Sequence, residues 1–569
     1  MKYLIRHTLL IVLALCCINC MYAQYVTETD AIRIAKVFYG DVSEKDNNSC
    51  NKESLADYKL TSLGGDTPTM YKINTPQGWV IVSADQRVRP ILAYSDSPNM
   101  TDDTTLIYNN VLLGWYNEQI AYIRDSSTNE ETHPERLHLK SSSMIANRDV
   151  IVSPLLVRNS HAIAWRQAGN QNGGAADCDK TYNKYFPVGN NGDNICHKYV
   201  VGCGSLSAAE VMWYWQWPKS AMAKDESGNY FYRKYNWSNI PYVLSNSSSL
   251  TDANMTANLL HDVAIADNAE FLPNGTSTVM IDVLSALNTC FGYDGTIVYR
   301  NDYNNTSWYN LLKNELDNDR PILYGGCFTL YHWPSSPIIS NDCHQFVIDG
   351  YASNNYFHVV YSQQDNPDGY YTLDLKNDNS GTNVYYNGNH QAIIGIEPLK
   401  FCSPVEINTN QSWPDWFNKV YVGGVTISNK VIPATSKGVI TSRQYVVLGP
   451  GFTIQQGAIV TIDIDNDLSC GEFSNGVNVS RRNVISKYRI QCEEDFSSRL
   501  KLFPNPATDI LNIQSEDELL RVDIYNLDGQ CVLHASQADI DVSGLPHGMY
   551  IVSATTTANE LLQTKFIKQ

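Results

Sequence analysis

The stretch from Leu206 to Trp215 puts apolar side chains on nearly every face of a helix: Leu206, Ala209, Val211, Met212, Trp213, Tyr214 and Trp215. Such a helix has no face to offer water, so it must lie in the core of a domain. The run before it is Val200-Val-Gly-Cys-Gly204. Glycines at 202 and 204 let another backbone or a bound molecule approach closely. A helix N-terminus carries partial positive charge and free N–H groups. Cys203 stands at that end, where a thiol is helped to ionise.

The helix end is not sufficient by itself. A free thiol titrates near about 8.5, and histidine-paired ones reach about 3–4. The difference is roughly 6 kcal/mol, and a helix terminus contributes at most about 2 kcal/mol. A nearby imidazolium must supply most of the rest. The candidate is His344, in Asp342-Cys-His-Gln-Phe-Val-Ile-Asp-Gly-Tyr351. It opens an apolar run of strand type that stops at Asp-Gly. His161, His197, His332, His358 and His390 compete in the same region. The place of His344 at the head of the Phe-Val-Ile strand, after the cysteine in chain order, favours it. A thiolate with a histidine base is the machinery of a nucleophilic hydrolase. A zinc site from Cys196-His197 and Cys343-His344 is disfavoured, because strand neighbours point to opposite faces and no Cys-x-x-Cys spacing occurs. No metal or cofactor is expected.

The chain has 569 residues, enough for roughly four domains. Charged residues are 18% and hydrophobic ones 43%, as in folded domains rather than disordered ones. A net charge of −18 argues against a nucleic-acid partner, which would require a basic face. Lys2 and Arg6, the apolar run Leu9 to Leu15 and Met21-Tyr-Ala23 form a secretory signal over residues 1–23. Cys16, Cys17 and Cys20 raise a lipoprotein alternative, but none follows the expected small residue. Beyond the signal no stretch is long and apolar enough to span a membrane. Three of the 14 cysteines lie in the signal, and the rest are odd in number. At least one thiol is therefore free or paired between chains.

Residues 24–148 read as a separate α+β module. Asp30 to Phe38 has helical spacing, Gly78 to Asp85 and Arg89 to Tyr94 read as strands, and Val111 to Arg124 is amphipathic. The polar stretch Asp125 to Asn147 reads as a linker, with Lys140 and Arg148 open to cleavage. Its place between signal and reactive motifs makes the module a prosegment. Residues 149–398 hold both motifs, a helical part followed by a β part. Strands are expected at Pro321–Tyr324, Gln345–Ile348, Tyr356–Tyr361 and Gly369–Leu373, and a helix around Met280–Leu287. Residues 399–492 alternate short strands with Gly and Pro, an all-β pattern. Residues 493–569 read as a small β-sandwich.

The two reactive segments resemble those of the streptopain family of cysteine peptidases. The resemblance rests on Gly202-Cys203, Ala209-Glu-Val-Met212, Trp217-Pro218, Arg320-Pro-Ile-Leu-Tyr-Gly-Gly326 and Cys343 to Tyr351. Trp165, Gln167 and Tyr182-Asn183 add to it, with an insertion at about 169–181. It covers about residues 25–398. It implies a papain-like α+β fold, a zymogen, and protein or peptide substrates. It assigns Cys203 as nucleophile, His344 as general acid/base, and Gln167 with the Cys203 N–H as oxyanion donors. The family's Asn-Trp run falls on Val360-Tyr361 here, leaving the partner that orients His344 open among Ser362, Gln363 and Gln364. Gly204-Ser205 and Gln345 replace Val-Ala and Ala, and Glu210 replaces Gln.

The tail resembles the C-terminal sorting domain of the type IX secretion system. Phe503-Pro-Asn-Pro-Ala507, Ile524 to Gly529, Leu545 to Val552 and Lys565-Phe-Ile-Lys568 carry that resemblance. It implies type IX secretion machinery as a partner, export through periplasm and outer membrane, tail removal, and release or attachment to surface lipopolysaccharide. Two other functions fit the residues. One is a catalytically inactive papain-like surface-binding module, and the other is a thiol hydrolase or transpeptidase acting on peptidoglycan.

Overall fold

The computed structural model describes residues 25–568 except 41–56, 98–99, 101–109, 126–131, 139–147, 170–176, 190–194, 225–227, 273–274, 330–340, 362–367, 374, 376–389, 409–412, 469–499, 516–517, 526–530, 536–538 and 558–560. The expected signal peptide lies outside them, as do Lys140, His332, Ser362, Gln363 and Gln364. The chain forms two compact units, residues 1–478 and 479–569. Helix and antiparallel sheet come together in the first, as expected for an α+β fold.

The apolar run is the helix Cys203–Trp215, with every residue after Cys203 buried. Around it pack Trp165, Tyr182, Trp217, Trp237, Leu259, Leu260 and Val263. Full burial of each large apolar side chain contributes about 1.5–3 kcal/mol, so this helix anchors the lobe. Two further helices here were not legible from the sequence: Leu250–Ala266 and Asn305–Asp317. Their outer faces are rich in Asn, Asp and Thr, which blurs the apolar period. Their caps are clearer: Ser249 accepts the Asp252 N–H and Asn304 accepts the Ser307 N–H. The helix expected near Met280 is Met280–Ser285, continuing as one wide turn to Cys290.

One sheet of eleven strands runs through unit one. In spatial order ten of its strands are Lys59–Leu63, Met70–Thr75, Gly78–Ser83, Ile91–Ser95, Gly369–Thr372, Tyr356–Val360, Asn341–Ala352, Ile322–Thr329, Gln391–Pro398 and Tyr293–Tyr299. Val150–Val152 pairs with Asn341–Ala352 off this path. The first four strands belong to the N-terminal module. They join the rest where Tyr370 and Tyr371 pair with Tyr94 and Ala93. The histidine strand, Asn341–Ala352, is central, with neighbours on both sides.

Residues 405–464 pair in parallel, an arrangement the short-strand pattern did not reveal. Trp416 lies beside Lys437 and Lys437 beside Ile459. Val405, Val425 and Val446 form a second stack. The chain thus climbs one strand level per coil, as in a solenoid, with Phe417, Tyr421, Val425, Ile427, Ile432 and Ile440 inside. It is fastened to the hairpin Ser220–Lys224/Tyr230–Lys234, where Asn418 Nδ2 donates to Ser220 O at 2.7 Å and Lys234 pairs with Asp463 at 3.2 Å. The second unit contains a three-stranded and a four-stranded antiparallel sheet sharing one core of Leu511, Ile524, Val552 and Phe566. Among the described residues no helix is long and apolar enough to cross a membrane.

The polar stretch after Asp125 is less of a free linker than its composition suggests. His133 and Arg136 are buried. The Arg136 guanidinium donates to the carbonyls of Val88, Ser83 and Asp85, which explains why a charged residue can be enclosed there. Arg148 is also engaged: it pairs with Asp96 at 2.9 Å and lies over the rings of Phe38 and Tyr39. Arg89 is 1% exposed and ties the N-terminal module to its neighbour. It pairs with Glu135 at 3.0 Å and donates to Thr372 Oγ1 and Asn354 O. Arg89→Ala strands Glu135 and two acceptors. It should lower the unfolding free energy of the full chain by about 3 kcal/mol, measured by urea titration.

Candidate active site

Cys203 is the first residue of its helix, capped by Gly202. Gly202 has φ +89, and a Cβ there would lie 2.8 Å from Thr276 O, so only glycine fits. The approach to it is held from two sides. Val201 N–H donates to Gln167 O at 2.9 Å, and Asn183 Nδ2 donates to Tyr199 O at 3.2 Å. Gln167 is therefore brought beside the helix start through its backbone. Among the described residues its side-chain amide makes no protein hydrogen bond. Trp165 is a core residue whose Nε1 donates to Pro241 O at 2.9 Å.

The histidine strand alternates. Phe346 and Ile348 pack on one face with Tyr324 and Tyr361. Val347 faces the core of the cysteine helix. Gln345 also reaches that helix. Its Nε2 donates to Thr278 O at 2.8 Å, and its carbonyl accepts from Ser207 Oγ at 3.3 Å. Ser207 also donates to Cys203 O at 2.7 Å, so one hydroxyl links the helix start to the residue after His344. The two replacements noted in the sequence fit together here. A Cβ on Gly204 would stand 3.0 Å from the Gln345 amide and 2.4 Å from Thr278 Cγ2. A small residue on the helix leaves room for the long one on the strand.

Burial pushes the Cys203 thiol up. The charge of His344 and a hydrogen bond from it outweigh this, helped by the backbone N–H groups of Gln345 and Gly204, and the thiol stands below its ordinary range. His344 is nearly buried, and its Nε2 has no hydrogen-bond partner among the described residues. Val360 carries no polar atom to serve it. Instead the Tyr361 ring stacks on the imidazole, centroids 5.5 Å apart and planes 18° apart. The Tyr361 hydroxyl donates to Asn110 Oδ1 at 2.9 Å and accepts the Leu112 N–H at 3.3 Å. Asn110 caps the helix Val111–Asp125 of the N-terminal module. That helix therefore reaches the side chain against which His344 rests.

Among the described competing histidines, His390 and His358 are engaged elsewhere. His390 is buried, its Nδ1 2.8 Å from the Tyr324 hydroxyl, and burial with the Arg300 charge drops it to about 3. His358 bonds Asp349 at 2.6 Å. His161 and His197 are exposed. Cys196 is bonded to Cys178, 18 residues before it, and Cys343 is also in a disulfide. Neither can act as a thiolate ligand, and among the described residues no cluster of metal-ligating side chains occurs. The free thiols described are Cys203 and Cys290.

Some acidic residues here were not singled out by sequence. Asp267, the C-cap of the helix Leu250–Ala266, is fully buried. Burial pushes its carboxyl well above the usual range; Ser205 opposes this, while Asp282 and Cys203 add to it. Asp267 lies beside Ser205 of the cysteine helix. Asp349, His358 and Asp368 form a second group behind Tyr361. Two Asp-Gly pairs, 349–350 and 368–369, mark these positions in the sequence, but such pairs read as turns.

Comparison with known proteins finds three family matches along the chain. Residues 177–371 match the peptidase C10 family, residues 23–120 the Spi protease inhibitor family, and residues 501–569 the secretion system C-terminal sorting domain. Streptopain of Streptococcus pyogenes is 26% identical over 364 residues, covering 59% of this chain and 82% of streptopain. The thiol protease/hemagglutinin PrtT of Porphyromonas gingivalis is 24% identical over 423 residues, covering 69% of this chain and 44% of PrtT. A solved fragment of Prevotella intermedia prointerpain A covers 59% of this chain and 98% of its own, with 22% identity and a TM-score of 0.40. The chain carries a streptopain-family, C10 peptidase domain and is a cysteine peptidase. Its tail is a sorting domain, and the protein is secreted or displayed at the cell surface.

Two outcomes follow from the site. Alanine is the better helix former by about 1 kcal/mol, but a side chain forced against Thr278 costs about 1–3 kcal/mol. Gly204→Ala should therefore destabilise, and adding Thr278→Ser, which removes the clashing methyl, should recover most of the loss in a denaturant titration. Burial raises the Cys290 thiol to about 12. Iodoacetamide in mildly acidic buffer should therefore label Cys203 and spare Cys290, as peptide mapping by mass spectrometry would read.

Proposed function

We propose that this protein is a secreted cysteine endopeptidase made as a zymogen. The observation that carries this is the coupling of the Cys203 thiol, at a helix N-terminus, to the His344 imidazole on the facing strand. The Cys203 thiolate attacks the scissile carbonyl of a protein substrate. The oxyanion is held by the Cys203 N–H and the Gln167 side chain. His344 protonates the leaving amine, and water then hydrolyses the thioester, with His344 taking the proton. Tyr361 holds the imidazole by stacking, in place of a hydrogen-bond acceptor.

Residues 24–148 act as the prosegment. They extend the peptidase sheet by pairing Tyr94 and Ala93 with Tyr370 and Tyr371. They also place Trp115 against His390 and Asn110 on Tyr361. The similarity of residues 23–120 to a protease inhibitor supports this role. Type IX machinery exports the chain, removes the tail, and either releases the enzyme or attaches it to surface lipopolysaccharide.

A second reading is a papain-like module that binds without cleaving. Among the described residues His344 Nε2 has no hydrogen-bond partner, which favours it. The deciding measurement is hydrolysis of a denatured protein under mild reduction, with Cys203→Ala alongside. Cleavage by the native enzyme and none by the variant establishes the peptidase. No cleavage by either, with the prosegment removed, moves the assignment to the binding module. Gln167→Ala should lower kcat by about 10²–10³ without changing the fold.

A further inference from the structure

We propose that Asp368 is a positioning residue for His344, acting through Tyr361. The inference rests on the reading of Cys203 and His344 as the reacting pair. Among the described residues His344 Nε2 has no acceptor, and the Tyr361 ring stacks on the imidazole and helps to hold it. Tyr361 must then be fixed in its own right. Its hydroxyl is held by Asn110 and Leu112, which leave with the prosegment. Within the peptidase domain its backbone N–H donates to Asp368 Oδ1 at 2.9 Å. That bond joins residue 361, at the end of the strand Tyr356–Val360, to residue 368, at the start of Gly369–Thr372.

The Asp368 carboxylate is part of a group that spans three strands. His358 faces it, and His358 Nδ1 lies 2.6 Å from Asp349 Oδ1. Asp349 Oδ2 accepts the Leu156 N–H at 2.9 Å, and its carbonyl accepts the Leu155 N–H at 2.8 Å. The Tyr370 ring stands over His358, and beyond it Asp96 of the prosegment pairs with Arg148. Burial lifts the Asp368 carboxyl to about 6; the His358 charge and the Tyr361 N–H oppose this and Asp349 adds to it. Burial lowers His358, but Asp349 wins and holds it above its ordinary value. With His358 charged, Asp368 is a carboxylate near neutrality and accepts a charge-assisted bond, roughly twice as strong as a neutral one. Below about 6 the bond weakens and Tyr361 loosens.

The test uses the full chain after the prosegment linker has been cut, as native protein, D368A, D368N, H358N and H344A. Cys203 alkylation by iodoacetamide is followed from about pH 4.5 to about pH 8, with kcat and KM on a peptide and the thermal midpoint. D368A should lower kcat about tenfold or more with KM little changed, and slow alkylation above about pH 6, where the native Asp368 is a carboxylate. D368N keeps an acceptor and should recover to within about threefold while losing the step near pH 6. H358N removes the opposing cation, so the step should move to higher pH. The proposal is overturned if D368A matches the native protein, if D368N loses as much as D368A, or if D368A lowers only the thermal midpoint. Should D368A fail to fold, an unmoved step in H358N overturns it. H344A separates the two readings. If it leaves Cys203 alkylation unchanged, the Cys203–His344 pairing itself fails; if it slows alkylation and D368A does not, only the role of Asp368 fails.

Discussion

The site depends on a charge interaction between two parts of the chain about 140 residues apart, a thiol on a helix end and an imidazole on a strand. Burial works against it, since the same walls that exclude water also disfavour a thiolate. What tips the balance is the closeness of His344 and the N–H groups at the helix start. Those need a rigid frame. The frame is a helix with its side chains buried on all sides and a strand with neighbours on both edges. Ser207 ties the two, its hydroxyl reaching the Gln345 carbonyl beside His344.

The N-terminal module is built into this frame. Its sheet continues that of the peptidase domain, and its helix Val111–Asp125 shares a core with Phe346, Ile348 and Tyr361. Arg89 and Arg136 bury positive charge at its turns and satisfy it with carbonyls and one glutamate. Its removal therefore exposes a sheet edge and apolar surface next to the strand that bears His344. The solenoid is fastened on another side, through the hairpin Ser220–Lys224/Tyr230–Lys234, while the N-terminal module packs against the histidine strand.

Val360 carries no polar atom, and the Tyr361 ring stacks on the His344 imidazole. A hydrogen-bond acceptor fixes both tautomer and tilt, whereas a stacked ring fixes tilt alone. The structure answers with a well-anchored tyrosine, bonded at its hydroxyl and at its backbone.

The sequence by itself determined the elements whose chemistry is local. The all-round apolar run had to be a buried helix, Gly202 had to precede it, and the apolar run after His344 had to be a strand. The peptidase C10 domain and the sorting tail were legible for the same reason. The helices Leu250–Ala266 and Asn305–Asp317 were not, because polar outer faces masked their period. Neither was the parallel stacking of residues 405–464, since a short strand looks alike whichever way its neighbour runs. Only the tertiary structure decided what surrounds His344. Stacking by Tyr361, the Asp349–His358–Asp368 group and the fit of Gln345 over Gly204 all join residues far apart in the chain. No spacing rule records such contacts, because they are set by how strands register in the sheet and not by neighbours in sequence.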